Sequence, residues 1–230
     1  MLELGKILFM DIETIPLKYQ YADLDEKSRK LWDSKWRNFK DVEVALQYAK
    51  AGIYAEFAKV ICICAGYFSG KEFKLKAFYG EDEALVLREF KSALEKPHSD
   101  SGYILCAHNG KEFDFPFLCR RMLIQGISLP KVLQIQGRKP WEIPHLDTLE
   151  MWKFGDYKNY TSLDMLASVF EIPTPKDDMD GSQVARVYYE DKNLERIKEY
   201  CKLDVITVAR VYQKMQAIEA VKDEQIIHLN

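Results

Sequence analysis

Near its N-terminus the chain has an almost continuously apolar run, KILFMDI at residues 6–12, and this run leaves few folds open. A strand without polar alternation must be covered on both faces, so the run predicts a central strand, ended soon afterwards by Pro16. Residues 59–68 and 72–79 are rich in β-branched and aromatic residues and are separated by three turn-forming positions. They predict an antiparallel hairpin that continues the same sheet.

Helical patterns alternate with these strands. Apolar residues recur at helical spacing from Asp82 to Leu94, and residues 103–107 predict another short buried strand. We therefore expect an α/β fold, a mixed sheet with flanking helices, in which residues 1–230 form a single domain. Further helices are predicted at 115–125, 162–170, 182–190 and 193–220, and one more short strand between Pro144 and Leu149.

Residues 18–56 depart from this alternation, and we predict that they form a helical insertion after the first strand. Lys35, Arg37 and Lys40 either form an exposed helix face or guide a nucleic-acid strand. The apolar stripe of the insertion, which should pack on the rest of the protein, consists of Trp32, Trp36, Phe39, Val42, Leu46 and Ala49 at steps of three and four.

Composition excludes several classes of protein. The 230 residues are 47% hydrophobic and 30% charged, which is typical of a globular domain and excludes disordered and fibrous chains. The formal charge is −3, so no general excess of positive charge indicates a nucleic-acid partner. No apolar run approaches the ~20 residues of a membrane span. We expect a cytoplasmic protein whose five cysteines are small buried hydrophobic residues.

Two carboxylates follow the apolar part of the first strand. Asp11 and Glu13 are two residues apart, so both side chains leave the same face of the strand. They repel each other and resist desolvation. Either they share a cation, or the end of the strand is simply solvated.

A third carboxylate occupies an apolar position of the last predicted helix. Asp204 lies on the stripe that includes Cys201 and Val208, and an ionised Asp is rarely buried there without a partner. Tyr200, one turn earlier, is either its neighbour in a pocket or an ordinary half-buried tyrosine.

The segment AHNGKEFDFPFL at 107–118 ends a strand and begins a helix. Asp114 lies at the N-terminal edge of that helix, where an ordinary helix cap is the plain interpretation. The plain interpretation of Asn109 is a turn residue.

Together, Asp11/Glu13, Asn109/Phe113/Asp114 and Tyr200/Asp204 resemble, in order and spacing, the three motifs of the DEDD exonuclease superfamily in its tyrosine variant. The segment FDFPFL after Asn109 resembles the corresponding motif in the 3'–5' proofreading domain of family-B DNA polymerases. It is most similar to the motif in the stand-alone predicted exonucleases related to that domain. The resemblance implies a ribonuclease H-like fold.

It also implies a two-metal mechanism, with two Mg²⁺ or Mn²⁺ ions held by the four acidic residues. By resemblance, Asp11 bridges both ions, Glu13 and Asp204 complete the first site, and Asp114 holds the second. Tyr200 would orient the attacking water. Asn109 either fixes the loop before Asp114 or touches the terminal nucleotide, and Phe113 either packs in the core or contacts a base.

The implied activity is 3'–5' hydrolysis of single-stranded nucleic acid with release of nucleoside 5'-monophosphates. We expect DNA as the substrate in preference to RNA, and an exoribonuclease or a catalytically silent nucleic-acid-binding module is the alternative. A polymerase partner is neither implied nor excluded. Residues 151–161 mix aromatic and basic side chains, either for stacking on a single strand or as a solvated loop with anchoring aromatics. Asp147 either supports the acidic residues from behind or is structural, and we expect the structural role. We expect His108 to be a structural neighbour of the turn at Asn109.

Overall fold

The computed structural model describes residues 3–39, 42–95, 103–156, 158, 160–173 and 179–230. Its centre is β1 (Ile7–Pro16), which pairs antiparallel with β2 (Ala58–Ser69) and parallel with β4 (Ile104–Ala107). β2 pairs antiparallel with β3 (Glu72–Tyr79) as the hairpin predicted from the sequence. The order β5-β4-β1-β2-β3-β6, with β5 (Leu146–Asp147) and β6 (Ile226–Leu229) at the edges, confirms a mixed sheet of the ribonuclease H-like kind.

Helices cover both faces of this sheet. The longest, α8, packs on the face that carries Ile7 and Phe9, while α3 and α4 enclose the opposite face around Met10 and Ile12. β1 is thus buried on both sides, as its apolar run predicts. The helices are α1 (Glu26–Trp36), α2 (Val44–Gln47), α3 (Glu83–Leu94), α4 (Asp114–Ile124), α5 (Thr148–Lys153), α6 (Leu163–Val169), α7 (Val184–Tyr189) and α8 (Leu194–Met215).

The insertion is helical, but its predicted continuous stripe is wrong. α1 and α2 are separate, and Trp32 alone of the stripe is fully buried, beneath Tyr48 and Phe57. Phe39 and Leu46 are exposed because they lie beyond the end of α1 and on a different short helix. Lys40 lies outside the described residues.

Three other predictions need correction. The predicted strand near Pro144–Leu149 is only two residues long, because α5 begins at Thr148. The last helix ends at Met215 rather than near residue 220, since the chain turns there toward β6. β6 itself was not predicted; it pairs parallel with β3. None of the helices in the described ranges has the length and apolarity that a membrane crossing requires.

Candidate active site

The fold brings acidic side chains from three segments to one end of β1. Asp11 and Glu13 project from the face that α8 covers, with a carboxylate oxygen of each within 4.8 Å of the other. Asp204 on α8 and Asp114 at the start of α4 are both close enough to act electrostatically on Asp11. The predicted convergence of the four carboxylates is therefore present in the structure.

Local backbone structure explains how Asp114 reaches this cluster. β1 pairs with β4 only along Ile7–Phe9, so the Ile12 N–H is directed at the start of α4 rather than at a strand. Asp114 is the first residue of α4, and Phe113 occupies the cap position without a capping side chain. The plain interpretation of Asp114 as the helix cap is therefore wrong, since Phe113 holds that position and the Asp114 side chain is buried, with 2% of its surface exposed.

A shift in strand register also lies next to the site. The pairing of β1 with β2 changes between Glu13 and Thr14, the irregularity that often redirects a side chain near a functional site. On the site face, Asp11 is paired with Cys64 and Glu13 with Cys62. Two thiols of β2 therefore line the same face as the two carboxylates of β1.

Burial and mutual repulsion make this cluster electrostatically strained. Burial, followed by the charges of Asp204 and Asp114, raises the pKa of Asp11 well above its usual range. Burial and then the Asp11 and Asp204 carboxylates likewise raise the pKa of Glu13. These groups resist being ionised together unless positive charge accompanies them.

The other two acids show the same tendency. Burial raises the pKa of Asp114 to about 7, against the opposing effect of its own N–H and that of Ile12. Burial also raises the pKa of Asp204 to about 7, although a hydrogen bond from the Tyr200 hydroxyl lowers it. Tyr200 thus belongs to the cluster, and burial beside Asp204 raises the pKa of its phenol.

Two oxygens in this cluster lack any partner among the described residues. They are Asp11 Oδ2 and Asp114 Oδ1, both buried and both without a hydrogen bond. An unpaired buried carboxylate oxygen is costly, and a divalent cation with a preference for oxygen ligands would satisfy it. The residues present therefore fit a hard cation such as Mg²⁺ or Mn²⁺.

Asn109 and Phe113 border the cluster. Asn109 lies in the turn after β4 with a φ of 60°, a conformation that its residue type tolerates, and its carbonyl accepts the N–H of Phe113 at 3.0 Å. The Phe113 ring is half-buried against Phe117, with ring centres 5.3 Å apart. Phe115, two residues on, is fully buried in the core.

Asp147 organises the loop that carries these residues. Its Oδ1 accepts the N–H groups of Asn109 at 3.0 Å and Leu149 at 2.9 Å, and its Oδ2 accepts the N–H of Lys111 at 3.0 Å. The side chain is 2% exposed and caps α5. The structural role expected for Asp147 is thus confirmed. The pattern Asp147-x-x-Glu150 is the sequence signal that indicates the start of α5 at this position.

His108 also connects this loop to its surroundings. One ring nitrogen is 2.9 Å from Thr148 Oγ1 and the other is 3.0 Å from the Thr161 carbonyl oxygen. Burial lowers the pKa of His108, so its imidazole is neutral at pH 7. The expectation of a structural histidine is confirmed. Its contacts with Thr148 and Thr161, which are distant in sequence, had no local signal from which they could be predicted.

We expect Asp147→Ala to destabilise the protein by about 2 kcal/mol, because several buried N–H groups lose their acceptor. The melting temperature should fall by roughly 5 °C. Differential scanning calorimetry checks this, with the exposed Asp156→Ala as control. An unchanged melting temperature would show that Asp147 does not hold the loop.

The aromatic and basic segment at 151–161 divides into two parts. Trp152 packs on Phe170, with ring centres 5.6 Å apart, so it is an anchoring aromatic. Tyr160 is 67% exposed, and its ring centre lies 6.4 Å from that of His108. Partial burial of the phenol, followed by the charges of Asp147 and Asp114, raises its pKa. Tyr157 lies outside the described residues. Tyr160 is thus an exposed aromatic beside the acidic cluster.

Comparison with known proteins agrees with this geometry. Residues 53–228 match a family described as predicted 3'–5' exonucleases related to the exonuclease domain of PolB. Comparison with curated proteins gives no match. The matched range contains Asp114, Tyr200 and Asp204, while β1 with Asp11 and Glu13 precedes it. Exonuclease domains of this kind generally use divalent metals, in agreement with the cluster. The chain therefore belongs to the family of predicted 3'–5' exonucleases related to the exonuclease domain of PolB.

Proposed function

We propose that the protein is a metal-dependent 3'–5' exonuclease that shortens single-stranded DNA and releases nucleoside 5'-monophosphates. The observation that carries this proposal is the pair of unpaired buried oxygens, Asp11 Oδ2 and Asp114 Oδ1, within one cluster of acids from three segments. A purely structural cluster would be expected to satisfy these oxygens with protein hydrogen bonds. The relation of the matched family to the exonuclease domain of PolB supports DNA as the substrate.

The four acids of the cluster are the residues that would hold two divalent ions. Such ions, Mg²⁺ or Mn²⁺, activate a water molecule and neutralise charge that develops on the phosphate. The oxygen ligands would come from three elements. Asp11 and Glu13 lie on β1, Asp114 is the first residue of α4, and Asp204 lies on α8. Two dications balance four carboxylates, so the phosphate of the substrate meets no net negative charge.

In this proposal, Tyr200 orients the attacking water. Its hydroxyl donates a hydrogen bond to Asp204 and remains protonated at neutral pH, because burial and the neighbouring carboxylates raise its pKa. A protonated phenol can donate to one oxygen and accept from a water molecule at the same time. This role requires the hydroxyl and not the ring.

We expect Tyr200→Phe to lower kcat by about a hundredfold while KM changes little, since the variant loses only the group that orients water. Steady-state kinetics on a labelled oligonucleotide checks this. Tyr212→Phe is the matched control, because it makes the same change to a buried tyrosine on the same helix. A raised KM with unchanged kcat would contradict the assigned role.

Binding of the terminal nucleotide involves the residues that border the acids. Asn109 and Phe113 lie on the loop before Asp114, and Tyr160 presents an exposed ring 6.4 Å from that of His108, which precedes Asn109. Bases stack on exposed aromatic rings with little sequence preference. We therefore propose that a base of the substrate stacks on Tyr160. Asn109 and Phe113 are proposed to contact the terminal nucleotide.

We expect Tyr160→Ala to raise KM by about tenfold with kcat nearly unchanged, because stacking contributes about 1–3 kcal/mol per base. The same oligonucleotide kinetics checks this. Trp141→Ala is the control, since Trp141 is 75% exposed and pairs with the Lys139 ammonium. Equal effects of the two variants would exclude specific stacking by Tyr160.

The direct experiment incubates purified protein with 5'-labelled single-stranded DNA and RNA of the same sequence, in Mg²⁺, in Mn²⁺ or in chelator. A ladder that shortens from the 3' end, absent with chelator and with Asp11→Ala, supports the proposal. Faster cleavage of the RNA would identify an exoribonuclease instead. Intact label on both polymers would favour a catalytically silent binding module.

A further inference from the structure

Three of the five cysteines converge next to the acidic cluster. Cys62 and Cys64 leave the same face of β2, and their sulfur atoms are 3.8 Å apart. Cys201 faces them from α8, and the three sulfur atoms all lie within 4.8 Å of one another. All three side chains are 0% exposed, and none forms a disulfide.

The spacing of these sulfur atoms matches a thiolate metal site. A tetrahedral zinc ion with Zn–S bonds of about 2.3 Å holds its sulfur ligands roughly 3.8 Å apart. The Cys62–Cys64 distance already has this value, and Cys201 needs to move little to reach it. Thiolates prefer Zn²⁺ and similar thiophilic ions, whereas carboxylates prefer Mg²⁺ and Mn²⁺.

We propose that Cys62, Cys64 and Cys201 form a binding site for one thiophilic divalent cation of the zinc class. This site is separate in chemistry from the carboxylate site. It does not depend on the exonuclease proposal, because it requires only the three thiols.

Charged side chains of both signs surround the three thiols. One carboxylate oxygen each of Asp11 and Glu13 lies within 4.8 Å of the Cys201 sulfur, so the thiols and the acidic cluster adjoin at Cys201. Lys198 and Lys202 are near enough to act electrostatically on Cys62, which offsets the negative charge of three thiolates. A dication balances two of the three thiolate charges, while Lys198 and Lys202 also form ion pairs with Glu195 and Glu199.

The plain alternative is that the thiols are buried hydrophobic side chains that exchange weak S–H hydrogen bonds. Cys201 donates to the Asp11 carbonyl oxygen at 3.5 Å, and Cys64 donates to that of Lys198 at 3.9 Å. Both contacts are satisfied in the absence of any metal. The two interpretations differ in what a thiophilic ion does to the protein.

Cadmium is the probe, because a cadmium–thiolate bond gives a charge-transfer band in the ultraviolet whereas a cadmium–carboxylate bond does not. The fully reduced protein is titrated with Cd²⁺ without nucleic acid. We expect a thiolate band that saturates at one ion per chain. Cys62→Ala and Cys201→Ala should weaken Cd²⁺ binding roughly a hundredfold. Cys119→Ala, a buried thiol outside the cluster, should leave it unchanged.

Alkylation of the wild type provides a test that needs no variant to fold. In mild denaturant, Zn²⁺ should slow labelling of Cys62, Cys64 and Cys201 relative to Cys106 and Cys119, as read by peptide mass spectrometry. A missing thiolate band, an unchanged Cd²⁺ affinity after loss of Cys201, or equal protection of all five cysteines would overturn the site. Asp11→Asn should retain the band, so failure of the carboxylate site is distinguishable from failure of this one.

Discussion

Asp204→Asn is expected to lower kcat by about a thousandfold, which corresponds to about 4 kcal/mol of transition-state stabilisation. Asp204 is one of the four acids that would hold the metals, and an amide oxygen is a weaker ligand without negative charge. The same substitution is nearly isosteric, so α8 keeps its packing on the sheet. A loss of activity without a loss of structure is therefore the expected result.

In the absence of metal, Asp204→Asn should have a higher free energy of unfolding than the wild type. Burial raises the pKa of Asp204 from its ordinary 3.8 to about 7, so the folded state disfavours the ionised form. A raised carboxyl pKa gives stability that is present at low pH and is lost as the pH rises toward 7. Removing this charge should stabilise the chelated protein at pH 7.5 by about 1–2 kcal/mol.

Kinetics and urea unfolding of the same preparation check both expectations. Asp164→Asn is the matched control, because Asp164 is an exposed carboxylate that also acts on Asp204. It should alter kcat and stability little. Activity of Asp204→Asn within tenfold of the wild type would contradict its role as a ligand, and a destabilised chelated variant would contradict the electrostatic account.

Arg121→Met is expected to destabilise the fold by about 3–5 kcal/mol, because it leaves Glu83 as a buried charge without its main partner. Arg121 on α4 donates through Nε to Glu83 Oε1 at 2.8 Å and through Nη1 to the Ala55 carbonyl oxygen at 2.8 Å. Glu83 Oε1 also accepts the Val60 N–H at 2.8 Å. This buried pair connects α3, α4 and β2.

The ion pair also fixes the helix whose first residue is Asp114. We therefore expect the variant to lose activity in proportion to its unfolded fraction at the assay temperature, and its melting temperature to fall by roughly 10 °C. Calorimetry of Arg121→Met beside Arg120→Met checks this, since Arg120 is an exposed neighbour on the same helix. Adding Glu83→Gln to Arg121→Met should recover part of the loss. Equal melting temperatures of the two single variants would contradict the account.

The sequence predicted the parts of the fold whose signal is local. The central strand, the hairpin and α8 each carry an apolar pattern that burial on one or two faces requires. The convergence of Asp11, Asp114 and Asp204 was implied by the resemblance of their motifs to the DEDD exonucleases, and the apolar stripe around Asp204 independently indicated a buried acid that needs a partner.

Features that depend on distant contacts were missed. β6 is an edge strand of four residues whose pairing with β3 no local pattern encodes. The three-thiol cluster joins β2 to α8, so only the folded register shows that Cys62 and Cys64 lie opposite Glu13 and Asp11. The buried ion pair of Glu83 and Arg121 was likewise hidden, because each residue alone is ordinary on a helix surface.

The central claim is that acids from three segments bind divalent ions. The most direct measurement is a crystal structure with Mn²⁺ and a nucleoside 5'-monophosphate, with anomalous scattering to locate the metal. The account predicts two anomalous peaks about 3.5–4 Å apart, among Asp11, Glu13, Asp114 and Asp204. Clear density for the nucleotide with no manganese among these carboxylates would contradict it.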